Sequence, residues 1–119
     1  MAFTQKRLAG PAQLTASSAV YYTVPQSTST IVKQIVLANT TAAAKTVTVR
    51  LKTANVAETS ADDILSSMTI GANETVAFNC SLVMNNNGSA PSATTSDQLT
   101  ALASSATSVN MAVFGVEEA

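Results

Sequence analysis

The sequence contains no histidine and no tryptophan, a single cysteine, and charged residues at only 11% of its 119 positions. Without histidine there is no imidazole to act as general acid or base, to activate a serine or cysteine nucleophile, or to ligate a transition metal. The lone Cys80 cannot form an internal disulfide or build a zinc site by itself, and its plainest role is that of a small buried apolar side chain. An average soluble domain is about 25% charged, so this surface must be polar through Thr, Ser and Asn instead. Six basic residues stand against seven acidic ones, and aromatics make up 4%. That leaves neither the basic excess nor the stacking platform expected of a nucleic-acid binder. Long apolar runs are also missing. The strongest lies around Ile35 to Ala38, far short of a membrane span. The start, Met1-Ala2-Phe3-Thr4-Gln5-Lys6-Arg7, leads into mixed polar sequence and does not read as a secretion signal. No membrane and no nucleic acid are therefore expected as partners, and synthesis in a reducing cytoplasm is.

What the sequence does hold is strand periodicity. In Lys45 to Lys52, Val47, Val49 and Leu51 fall on one face while Thr46, Thr48, Arg50 and Lys52 fall on the other. Ser29 to Asn39 is apolar on both faces near Ile35 to Leu37, which places it centrally in a sheet. Asn39 to Ala44, the link between these runs, has the length of a hairpin connection. Asp63 to Ile70 puts Ile64, Met68 and Ile70 in alternate register with Ser66, and Gly71-Ala72-Asn73 supplies a turn. In Thr75 to Met84, Val76, Phe78, Cys80, Leu82 and Met84 alternate, and Cys80 is thereby assigned to the core. An uncharged loop from Asn85 to Ser96 should lie exposed. Gln98 to Ala103 and Ser108 to Glu118 complete the second half, with Val109, Met111 and Val113 on one face of the last strand, opposite Ala112, Phe114 and Val116. Leu8 to Leu14 and Ala19 to Val24 open the first half, confined to edges or strand ends by Pro11 and Pro25.

Eight short strands, with one helical turn in Asn55 to Ile64 and a weak helical alternative over Thr95 to Ala103 capped at Ser96 and Asp97, predict an all-β fold: an antiparallel two-sheet β-sandwich of jelly-roll or immunoglobulin-like type. The length fits one domain, assigned to residues 8–119, with residues 1–7 as an N-terminal arm.

Chemistry is scarce. The paired carboxylates Asp62-Asp63 and Glu117-Glu118 are strand neighbours that point to opposite faces, so neither pair converges as an acid and base would. Glu58 with Asp62 and Asp63 lacks the ligand spacing of a calcium loop. Gly10, Gly71, Gly88 and Gly115 stand alone and form no phosphate-cradling loop. No catalytic residue, cofactor site or metal site is assigned, and the chain is read as a non-enzyme. Charge concentrates at the ends, where Lys6-Arg7 could meet Glu117-Glu118 of a neighbouring copy head to tail.

Two stretches, taken together, resemble a known group. One runs from Val20 through Tyr21-Tyr22-Thr23-Val24-Pro25 and Thr30 to Thr41 to the Thr46–Leu51 alternation. The other runs from Ile70-Gly71-Ala72-Asn73-Glu74-Thr75-Val76 through Asp97-Gln98-Leu99 to the closing Phe114-Gly115-Val116-Glu117. The pattern is similar to that of small β-sandwich virion proteins of tailed bacteriophages, found on the head as decoration (cement) proteins or on the tail and its fibres. Where that pattern often has Gly-Asp before the second-last strand, this chain has Ser96-Asp97. The resemblance implies a structural part of the virion with no enzymatic residues. It would bind copies of itself, for example as a trimer, and the major capsid protein or other virion proteins. Phe3, Lys6, Arg7, Tyr21, Tyr22, Glu117 and Glu118 are the candidate interface residues. The rivals are a tail, baseplate or fibre-attachment part, and a receptor- or carbohydrate-binding module using the Asn85–Ser96 loop.

Overall fold

Valine, threonine and isoleucine in period-2 patterns produce eight strands: β1 (Phe3–Gln13), β2 (Ala19–Thr23), β3 (Ser29–Asn39), β4 (Lys45–Lys52), β5 (Asp63–Ile70), β6 (Thr75–Asn85), β7 (Gln98–Ala103) and β8 (Val109–Glu118). They are seen in a computed structural model that describes residues 3–118. All pairings are antiparallel, in two four-stranded sheets ordered β1-β8-β3-β6 and β2-β7-β4-β5. This order defines a jelly roll and decides between the two sandwich types left open by the periodicity. Only β4 and β5 are consecutive strands paired within one sheet. Every other connection crosses from one sheet to the other.

The crossing corrects the hairpin expected between β3 and β4. The loop after Asn39 carries the chain between layers, and the buried Asn39 side chain fastens the corner. Its amide nitrogen donates to the carbonyls of Ala43, Ile70 and Gly71 at 2.9–3.1 Å. Its oxygen accepts from the backbone N–H and the hydroxyl of Thr41. One side chain thus ties the end of β3 to the turn between β5 and β6.

The core lies between the sheets. Val32, Ile35 and Leu37 from β3 and Val109, Met111 and Val113 from β8 face Val47 and Val49 from β4 and Leu99, Ala101 and Ala103 from β7, all buried. β5 departs from plain alternation. Ile70 is buried as expected, but in the first half of the strand the buried residue is Leu65 and not Ile64, because the register against β4 shifts between Val47 and Val49. The shift falls where Ser67 adopts φ +45° and donates its N–H to the Thr48 hydroxyl. The helical turn is a 3-10 turn at Ser60–Asp62, capped by Thr59.

Residues 3–7 are not a free arm. They form the first half of β1, with Phe3 opposite Glu118, Thr4 opposite Glu117 and Lys6 opposite Gly115. The ladder to β8 holds them. No apolar alternation marks them because this stretch is a sheet edge that projects past the main core, and its side chains stay exposed. Met1, Ala2 and Ala119, which the arm and domain assignments also include, lie outside the described residues.

Candidate functional site

The two outward faces of the sandwich differ in kind. Over the second sheet, the connection between β4 and β5 folds back and anchors itself with charge. Glu58 accepts hydrogen bonds from the Thr100 hydroxyl and, at 2.8 Å, from the Ser18 hydroxyl, and it pairs with Arg50 at 3.4 Å. Arg50 also donates to Asp63 at 2.6 Å. Burial opposes ionisation of Glu58, but the bonds from Thr100, Ser18 and Arg50 outweigh it and hold the carboxyl below its ordinary range. The guanidinium is satisfied by both carboxylates, so the cluster works as a clamp. Asp62 instead accepts from the Thr59 N–H in the 3-10 turn. Among the described residues, no group of three or more acidic or cysteine side chains is arranged to hold a metal.

The outward face of the first sheet carries no such cover. Directly paired residues share a face, so the registers lay this one out in rows. Gln5, Val116, Ile31 and Val83 form one row, and Arg7, Phe114, Gln34 and Asn79 form the next. Ala112, Val36 and Ala77 follow. Val83 is 58% exposed and Phe114 37%. A shallow open depression of about 550 Å³ lies here, lined by Gln5, Lys6, Lys33, Gln34, Asn79, Phe114, Gly115 and Val116. Gln34 donates to the Asn79 amide oxygen at 3.0 Å across its floor. Apart from the Gln34–Asn79 amide pair the centre of the face is apolar, and the charges of Arg7, Lys33 and Glu118 stand around it.

Three of the candidate interface residues come together as one hydrogen-bonded chain. Lys6 pairs with Glu117 at 3.0 Å, and the Tyr22 hydroxyl donates to the other oxygen of Glu117 at 2.5 Å. The Thr30 hydroxyl lies 2.7 Å from the Tyr22 oxygen. Because the single phenolic proton goes to the carboxylate, Thr30 donates in that contact. Burial and the Glu117 carboxylate push the Tyr22 hydroxyl well above its ordinary pKa of 10.0. Tyr22 is a core residue, and Lys6 pairs with Glu117 within its own chain. Phe3, 67% exposed, sits opposite Glu118 at the edge, and Arg7 sits exposed opposite Phe114. Tyr21 is half-buried on β2, away from that chain of bonds.

Cys80 faces inward as its alternation requires but is only half-buried, donating to the Val32 carbonyl at 3.4 Å. Burial raises its thiol pKa, with Lys33 opposing weakly. The loop after β6 is largely exposed, as expected, yet it is tightly tied. Ser96, fully buried, donates to the Val24 carbonyl and accepts from Asn86. The Asp97 carboxylate accepts from the N–H groups of Ala54 and Asn85. The residues that sequence reasoning missed are those of the open face on β3 and β6. Val83, Ile31 and Val36 were hidden because β3 reads as apolar on both sides, and only the pairing register shows which side is out.

No protein-family model matches the chain, and no curated protein does. Among solved structures, a chain from the structure of infectious bursal disease virus Gt strain aligns over 98% of this chain at 12% identity with a TM-score of 0.35. This chain spans 28% of the length of that one. No helix among the described residues is long and apolar enough to cross a membrane.

Proposed function

We propose that the protein is a non-enzymatic structural part of a virus particle, and specifically a head decoration protein of a tailed bacteriophage. The observation that carries this reading is the open outer face of the first sheet, apolar at its centre with Val83, Ile31, Val116 and Phe114 exposed or half-buried in adjoining rows. Exposed apolar surface rimmed by polar groups marks a protein–protein contact. Jelly rolls also serve as lectins and cupin enzymes, so the fold does not select the function. The sequence weighs against both alternatives: it has no histidine for a cupin metal centre and no aromatic residue in the Asn85–Ser96 loop for a sugar.

In this reading the first sheet docks on the shell where major capsid subunits meet, and copies associate with one another around that site. Burial of the face stabilises the assembled shell by mass action, because the protein binds the assembled state and not the free subunits. Its place is in the virion, and no bond is made or broken. Quantifying the protein in purified particles tests the proposal. Hundreds of copies per particle are expected for the shell. A few to dozens would move the protein to the tail, and its absence from particles would overturn the virion role.

A further inference from the structure

The sandwich has four open sheet edges, β1 and β6 in the first sheet and β2 and β5 in the second. Soluble proteins blunt such edges with charge, proline, bulges or shortness. β1 carries Lys6, Arg7 and Pro11 and two register shifts. β2 is five residues long with one shift. β5 is broken by the shifts around Ser67. β6 lacks three of these guards, charge, proline and shortness, and has one register shift. Its eleven residues, Thr75 to Asn85, include no charge, no proline and no glycine. Its shift sets Cys80 and Ser81 against the single Lys33 of β3, and its own alternation of exposed and half-buried side chains runs through it intact.

From this edge we infer that the protein dimerises by antiparallel pairing of β6 with β6 of a second copy, about a two-fold axis at Cys80. The order of the residues along β6 favours this register. Laid antiparallel on itself with Cys80 opposite Cys80, β6 matches like with like. Val76 meets Met84 and Phe78 meets Leu82 on the inward side, while Ala77 meets Val83 and Asn79 meets Ser81 on the outward side. No apolar residue is opposed to a polar one from Val76 to Met84. A shift of two residues opposes Ala77 to Ser81 or Thr75 to Val83, and a shift of one sets inward side chains against outward ones. Side-chain burial makes the same case. Val76, Phe78, Cys80 and Leu82 point into the sandwich yet remain only partly buried, for no strand lies beyond β6 to cover them. A second β6 would cover all four and extend the sheet to eight strands. The pairing stops short of Asn85, whose backbone N–H and carbonyl are held by Asp97. A two-fold isologous contact of this kind closes on itself and does not propagate.

The inference does not depend on the virion reading, since it concerns the isolated chain, and it is tested in solution. Sedimentation of the full-length protein should show a monomer–dimer equilibrium. Directly opposed residues of an antiparallel pair have Cα atoms about 4.5–5.5 Å apart, within disulfide range. Mild oxidation with copper–phenanthroline should therefore link the dimer through Cys80, and Cys80→Ser should abolish the link. Ser81→Lys places two exposed ammonium groups diagonally across the axis and should raise the dimer dissociation constant at least tenfold. Ser81→Glu should do the same, and an equimolar mixture of the two should recover a mixed dimer. A chain that stays monomeric at millimolar concentration would overturn the inference. So would a trimer, a dimer that Cys80 does not link, or one indifferent to both Ser81 variants.

Discussion

Single polar side chains do much of the joining in this molecule, and Asn39 is the clearest case. It is 2% exposed and satisfies three carbonyls and two donors of Thr41 from one amide. Asn39→Ala strands those buried groups without partners, so a loss of about 2–4 kcal/mol is expected, read as a lower urea midpoint. Tyr22 gives a pH-dependent counterpart. Its hydroxyl stays protonated in the fold above the ordinary value of 10.0, whereas in the unfolded chain it ionises there. The folded state therefore binds more protons in alkali, and the stabilisation is complete below pH 10.0 and fades as pH rises beyond it. Tyr22→Phe should cost about 1 kcal/mol at neutral pH and flatten the alkaline fall in stability. An unchanged alkaline limb would show that other groups govern it. In the sequence Tyr22 read as an interface candidate, because nothing in the residues near Tyr22 announces that Thr30 and Glu117 arrive beside it from other strands.

At the scale of elements, strands were legible wherever one side met water and the other met core. Lys45–Lys52 and Gln98–Ala103 begin and end where their alternation does. Legibility failed at bulges and edges. Ser67 with φ +45° changes the expected facing of β5 before it, while Met68 and Ile70 keep theirs, and no serine announces a positive φ. β1 was hidden for Phe3 to Arg7 because a polar edge strand is held by its ladder to β8 and not by buried side chains. The β4–β5 connection was legible only as a single possible turn, since its anchor is a set of long-range bonds from Glu58 to Ser18, Arg50 and Thr100. That anchor has an acid signature. With its folded pKa below 4.5, Glu58 contributes stability above pH 4.5 that is lost as pH falls through the folded value. Glu58→Gln should lower stability by roughly 1–2 kcal/mol at neutral pH and make the acid limb shallower. Urea titrations across the acid range read both.

For the molecule as a whole, the decisive feature is asymmetry: one outward face is clamped by ion pairs and the other is left apolar and open. Sequence alone could assign the two layers but not their faces, because the facing depends on which strands become neighbours, and the eight strands are joined mostly by crossings between sheets. If the open face is the docking face, charge placed there should abolish particle binding without disturbing the fold. Phe114, 37% exposed in the row beside Val116, and Val20, 49% exposed opposite Thr100 on the second sheet, form a matched pair of sites. Phe114→Asp should leave the unfolding free energy from urea titration within about 1 kcal/mol of the parent, as surface changes usually do, and yet abolish binding to particles stripped of the protein. Val20→Asp should leave binding intact. The reverse pattern would assign docking to the second sheet. Loss of binding in both would mean that neither face acts alone, and that contact runs along the rim of the sandwich, where Phe3 and Arg7 stand exposed.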